Sequence, residues 1–195
     1  MIYVISEDNY FSIGLMAMFD YQEISATLIN IDSFYDFDIG KQDIILLCTH
    51  SRANSQMINQ LVFNSNSRII YFVDEDIDKL TFRLNGKSVI SKKLSGEQAI
   101  AAINNIYVNN RYSSNISLSQ KETLVMNLLV KQKNAHSIAK MLNISMKTVF
   151  AHKLNALHKM GFGHLNACSV LLYERVFQDR FEYEQIKRKL PYYIE

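Results

Sequence analysis

"AHSIAKMLNISMKTVFAHKLNALHKM", residues 135–160, holds two helix-length segments parted by a turn of three residues. The first, "AHSIAKML", ends at Asn143, a residue that tolerates the left-handed backbone of a tight turn. Ser145 then stands where a side-chain oxygen caps the second, "MKTVFAHKLNALHKM", a role worth about 1 kcal/mol. At helical spacing Lys147, Phe150, Ala151 and Leu154 share one face, while Val149, Leu157 and Met160 share the other. A packed back, a partly cationic front and so short a turn are the outline of a helix-turn-helix.

Working outward toward the N-terminus, "LSQKETLVMNLLVK" (118–131) opens with Ser119 three residues before Glu122. In that arrangement each side chain satisfies a free amide of the first turn. Leu124, Leu128 and Leu129 follow at helical spacing, with Val125 beside them. Before this helix lies the polar "NNRYSSNIS", read as a linker over 111–117. On the other side, "HLNACSVLLYERVF" is amphipathic, and 179–195 reads as a C-terminal extension with an extra helix.

The first 110 residues have a different character, alternating apolar strands with helical stretches. The strands are "IYVI" (2–5), "ATLIN" (26–30), "DIILLC" (43–48), "RIIYFV" (68–73) and "SVIS" (88–91). Between and after them lie "NYFSIGLMAMF", "SQMINQLVF", "DIDKLTFRL" and "SGEQAIAAINNIYV", all read as helices, with a very short one around "IDSFYDFDIGKQ". Strands that are apolar throughout, separated by helices, predict a parallel sheet covered on both faces, hence a doubly wound α/β domain over 1–110. All-α character then predicts a second domain over 118–178.

Charge divides along the same line. Residues 1–117 carry nine Lys/Arg against thirteen Asp/Glu, residues 118–165 seven against one, and residues 166–195 five against five. Four of the five histidines also fall in the basic block. Such a footprint implies a polyanionic partner, the alternative being a solvated cationic face. No run approaches the eighteen or so apolar residues of a membrane span, and "MIYVISED" reaches acids without a basic start, so no membrane and a cytoplasmic location are expected. Cys48 and Cys168 stand far apart without a CxxC, and His164 and Cys168 are too few for a zinc site, so no metal or cofactor is expected. With no glycine-rich phosphate loop and no His/Asp companion to a nucleophile at a recognisable spacing, no enzyme is expected either.

Over 118–162 the chain resembles the LuxR/NarL-type DNA-binding domain. The matching residues are Leu118, Ser119, Lys121 and Glu122; Ile138, Ala139, Leu142, Ile144 and Ser145; and Lys147, Thr148, Val149, His152, Asn155, Lys159 and Gly161. Departures are Gln132 for a glycine, Ala135 for an asparagine and Ala156 for a core isoleucine. The resemblance implies a transcriptional regulator of duplex DNA. Its base-reading positions fall on Phe150, Ala151 and Leu154, and these favour thymine methyls and groove shape because none can form bidentate hydrogen bonds. Lys147, Lys153 and Lys159, with Thr148, His152 and Asn155, are expected on phosphates, His152 having a packed core role as its alternative.

In the same register the first 110 residues resemble the receiver domain of response regulators, giving a fold class of receiver-like α/β domain plus all-α helix-turn-helix domain. The family's two acidic metal ligands fall on Ser6 and Glu7, its phosphorylated aspartate on Cys48, and its lysine on Lys92. A thiol forms no acyl phosphate, and a hard cation wants oxygen ligands. A pseudo-receiver that takes no phosphate is therefore expected. Cys48 reads as a small buried hydrophobe, with two alternatives for the domain: redox sensing at a thiol activated by Lys92, or binding of a signalling nucleotide. By the same resemblance the helix after the reader pairs two copies. Leu165, Cys168 and Leu172 there, with the outward Ile13 and Met16 of the first helix, are expected at a homodimer interface or at one with a related LuxR-type regulator, and RNA polymerase is a further expected partner.

Overall fold

The computed structural model describes residues 1–31, 38–65, 67–75, 81–84, 87–108, 115–162 and 167–177. The chain divides into two compact units, Met1–Asn115 and Ile116–Glu195.

The first unit is built on β1 (Ile2–Ser6), β2 (Ala26–Ile29), β3 (Ile44–Cys48), β4 (Arg68–Val73), β5 (Thr81–Leu84) and β6 (Lys87–Ser91). With β7 (Asn115–Ile116), the sheet order is β2-β1-β3-β4-β6-β5-β7. The pairs β1–β2, β1–β3, β3–β4 and β4–β6 are parallel. Helices α1 (Asn9–Tyr21) and α2 (Arg52–Ser65) connect β1 to β2 and β3 to β4, and α3 (Gly96–Val108) follows β6. Leu15 and Phe19 of α1 and Ile100 and Ile103 of α3 pack with Val4, Leu46, Ile70, Phe72 and Ile90 from alternate strand positions. On the intervening positions Tyr71 donates its hydroxyl to Asn59 of α2, so helices cover both faces. That two-sided cover is why β3 and β4 carry apolar runs without alternation.

Two expectations need correction. "DIDKLTFRL", read as a helix, contains β5, which pairs antiparallel with β6 from Leu84↔Lys87 to Thr81↔Ile90; residues 76–80 lie outside the described residues. The two residues between the strands in sequence are Asn85 and Gly86, the pair that two-residue hairpin connections favour. That signal outranks the weak helical spacing before it. Met16, read as outward, is half-buried against the α1/α3 core, while Ile13 is 64% exposed. The short helix expected around 31–42 lies largely outside the described residues, as do the linker residues 111–114 and the extension 179–195; Asn115–Ile116 of the expected linker is the strand β7.

The second unit holds α4 (Gln120–Val130), α5 (Ala135–Leu142), α6 (Met146–Lys159) and α7 (Ala167–Phe177). Ser119 and Glu122 form the reciprocal capping box of α4. Asn134 caps α5 by accepting from Ser137 N at 2.8 Å. Asn143 ends α5 in the left-handed region, φ 51° and ψ 50°. Gln132, where the resembled family has glycine, is also left-handed at φ 57°. A side chain there carries a strain of about 1 kcal/mol that glycine would not. Val125, Leu128, Ile138, Ala139 and Val149 form the core between the first three helices, and Tyr173 of α7 donates to Asn127 of α4 at 3.1 Å.

Candidate nucleic-acid interface and N-terminal pocket

Helix α6 begins where Ser145 Oγ accepts from Thr148 N at 3.0 Å and shares a hydrogen bond with the Thr148 hydroxyl at 2.8 Å. The cap leaves other amides of the first turn pointing outward at the positive end of the helix dipole, a good place for a phosphate. Val149, Ala156, Leu157 and Met160 are buried, so the helix has one orientation on its scaffold. The opposite side presents Lys147, Phe150, Ala151, Leu154 and Asn155, all exposed, with Phe150 at 51% and Leu154 at 40%. Thr148, His152 and Lys153 are half-buried on its flanks. Met146, passed over in the sequence because it opens the helix, is 48% exposed and belongs to the same outward surface.

Lys159 stands apart from this set. Its Nζ lies 2.8 Å from Glu122 Oε2 and reaches the Ser117 carbonyl at 3.4 Å. Glu122 is 4% exposed, and its other role is to accept from Ser119 N at 2.7 Å. Burial pushes the Glu122 carboxyl up, but the bonds from Lys159 and Ser119 outweigh it and hold the group below the usual carboxylate range. A lysine bonded to a buried carboxylate ties the end of α6 to the start of α4 while its own side chain stays 43% exposed.

Of the residues expected to pair two copies, Leu172 is 2% exposed inside its own unit, also a correction. Its neighbour Leu171 is 61% exposed. Leu165 and the side chain of Cys168 lie outside the described residues.

In the first unit, Ser6, Glu7, Cys48 and Lys92 meet at the C-terminal ends of parallel strands. Ser6 pairs in register with Cys48, and Glu7 N donates to the Cys48 carbonyl at 3.0 Å. The Ser6 hydroxyl donates to the Asp8 carbonyl and accepts from Asp8 N, both at 2.9 Å. Glu7 accepts from His50 N at 3.0 Å and from the Asn54 amide. Burial raises its pKa, and these bonds together with one from Thr49 lower it further than that, leaving it ionised. Asp8 caps α1 by accepting from Phe11 N at 3.0 Å, the main cause of its lowered pKa.

Lys92 Nζ sits 3.2 Å from Asp8 Oδ2, 3.0 Å from Asp74 Oδ1 and 5.3 Å from the centre of the Phe11 ring. Burial opposes its charge, yet hydrogen bonding to Asp74, Cys48 and Asp8 holds its pKa above the ordinary lysine value. Cys48 is 2% exposed, and burial pushes its thiol up despite Ser6 and Lys92. The activation of this thiol by Lys92, on which the redox alternative rests, is thus reversed by desolvation. The donors do not fit a receiver's magnesium. Cys48 offers a sulfur, and Ser6 a hydroxyl tied to the Asp8 backbone. Both Glu7 oxygens are committed to α2 and its approach, and Asp8 to Lys92 and α1.

The first unit is doubly wound α/β, and the second carries α5 and α6 as a helix-turn-helix. Residues 116–171 match the family model of bacterial regulatory proteins, luxR family. Among solved structures, RcsB from Salmonella enterica serovar Typhimurium, bound to promoter rprA in the presence of phosphomimetic BeF3-, is similar at a TM-score of 0.51 and 15% identity, covering 91% of this chain and 100% of that one. Two RcsB dimers bound to two parallel DNAs give 0.47 and 17%, covering 91% and 99%. Full-length FixJ from B. japonicum gives 0.35 and 18%, covering 90% and 96%. No curated protein matches the sequence. No described helix is long and apolar enough to cross a membrane.

Proposed function

We propose that this chain regulates transcription in the cytoplasm by laying α6 in the major groove of duplex DNA, and that it does so without accepting phosphate from a kinase. The observation that carries the reading is the outward face of α6: Lys147, Phe150, Ala151, Leu154 and Asn155 exposed beside a capped, dipole-positive helix start, in a block of seven basic residues and one acid. Lys147 and Lys153 contact phosphates together with Thr148, His152 and Asn155, while Phe150, Ala151 and Leu154 face base edges. The RcsB structure solved on a promoter supports this use of a shared fold.

Independence from phosphate follows from the chemistry at Cys48, where a buried neutral thiol occupies the position of a carboxylate nucleophile. Lys92 spans Asp8 and Asp74 in a closed set of charges. Control passes instead to assembly. Ile13 and Leu171, at 64% and 61% exposed, are among the described apolar groups available for a homodimer or for pairing with a related LuxR-type regulator, and RNA polymerase is the partner a bound regulator then meets. The test is an electrophoretic or anisotropy titration against duplexes enriched from a random pool, with and without a small phosphodonor. Salt-sensitive binding that the donor leaves unchanged, with no gain in protein mass, supports the reading. A stable phosphoprotein refutes its second half.

A further inference from the structure

Met146, Phe150 and Leu154 follow one another at intervals of four on α6 and are 48%, 51% and 40% exposed. Four residues of helix rise about 6 Å and turn about 40°, so the three side chains form one slanting ridge on the solvent side. Beside it runs a second ridge of Lys147, Ala151 and Asn155, all exposed. A continuous apolar ridge on the outside of so small a unit signals a contact. Its surroundings specify the partner's charge. The only acid of residues 118–165 is Glu122, which is buried and paired with Lys159, so this part of the chain offers cations without an exposed carboxylate.

An acidic partner met by an apolar ridge on a helix is the major groove of DNA, where the apolar group on a base edge is the C5-methyl of thymine. We infer that Met146, Phe150 and Leu154 act as a ladder that reads 5-methyl groups of pyrimidines, at a spacing set by the helix. This rests on the DNA-binding reading above and deepens it. Side chains one helical turn apart on a helix lying obliquely in the groove meet successive base pairs, so the rungs place the methyls on neighbouring steps. The ladder cannot hydrogen-bond to O4 of thymine or to the amino group of cytosine. Since 5-methylcytosine carries the same methyl at the same place, the ladder accepts it as it accepts thymine.

The experiment uses the full chain and duplexes that it enriches from a random pool at low salt. Each thymine is replaced in turn by deoxyuridine, which loses only the methyl, and 5-methylcytosine is placed at the same positions. Affinity should fall about fourfold at each contacted thymine, the ratio set by burying one methyl group, and the sensitive positions should fall on neighbouring base pairs. An unmethylated cytosine at such a position should gain about the same factor on methylation. Phe150→Ser should abolish the uridine penalty at one position, and Met146→Ser and Leu154→Ser at others, with circular dichroism unchanged because all three side chains face solvent. Uniform tolerance of uridine by a protein that still binds duplexes in a salt-sensitive way overturns the ladder and leaves DNA binding standing. Absence of salt-sensitive binding to any duplex overturns both. If the three substitutions instead alter self-association without DNA and leave the discrimination between uridine and thymine untouched, the ridge is a protein contact and the inference fails.

Discussion

The strand-end pocket of the first unit and the outer face of α6 in the second use the same kinds of side chain in opposite ways. In the pocket, Lys92 is 11% exposed in its side chain and spans two aspartates, Glu7 accepts from the N-terminal region of α2, and Ser6 is turned onto backbone. On α6, Lys147, Phe150 and Asn155 are turned to solvent, and Lys159, whose ammonium bonds the buried Glu122 while its side chain stays 43% exposed, belongs to its far end. Polar groups that satisfy each other inside a fold add rigidity and are costly to remove singly. Groups left outward add little to stability and are spent on a partner. Substitutions should therefore separate cleanly into those that unfold and those that unbind.

The largest effect is expected at Lys92. Lys92→Ala strands Asp8 and Asp74 without their cation, and because both are partly solvated the loss should be about 2 kcal/mol, seen as a lower denaturant midpoint for the first unit. The raised lysine contributes stability that is complete below the unfolded value of about 10.4 and is lost only as pH climbs through the higher folded value, so this unit should resist mild alkali. An unchanged midpoint in the variant would erase the contrast between the two regions.

Glu122→Ala comes next, at about 1.5 kcal/mol for a capping box and its ion pair, read by amide exchange in α4. The sign with pH is opposite to that of Lys92. The lowered carboxylate supports folding above the unfolded value of about 4.3, and this support disappears as pH falls through the folded value. Gln132→Gly should raise stability by about 1 kcal/mol by relieving the left-handed backbone at φ 57°.

Smallest in stability, within about 0.5 kcal/mol, are Lys153→Ala and Phe150→Ala, yet these should dominate binding. With about four phosphates neutralised, log affinity should fall with log salt at a slope near −3.6. Lys153→Ala should weaken all duplexes alike and flatten that slope by about 0.9, whereas Phe150→Ala should reorder the ranking of sites. Two substitutions with the same effect on every duplex would merge the roles of phosphate contact and base reader.

Much of this was written locally in the chain. The apolar runs of β1, β3 and β4, the caps at Ser119 and Ser145, the left-handed Asn143 and the buried face through Val149, Leu157 and Met160 all depend on neighbours within a few positions, where spacing and residue type suffice. That Ser6, Glu7, Cys48 and Lys92 come together was equally legible, because the ends of parallel strands in a doubly wound sheet converge.

Decisions made by distant partners were not legible. Lys159 looks like any basic residue of α6 until Glu122, 37 positions earlier, is found beside it. Leu171 and Leu172 are interchangeable until α7 packs against α4 and buries the second. "TFRL" became a strand because β6 offers an open edge for hydrogen bonding, a gain that local helical spacing cannot match. Burial at Cys48 defeats the nearby ammonium because desolvation is a property of the whole surrounding core. Periodicity and caps are short-range and sit in the sequence itself, whereas the choice of ion-pair partner, the rotation of a helix about its axis and the cost of burying a charge are set by what the fold brings from far along the chain.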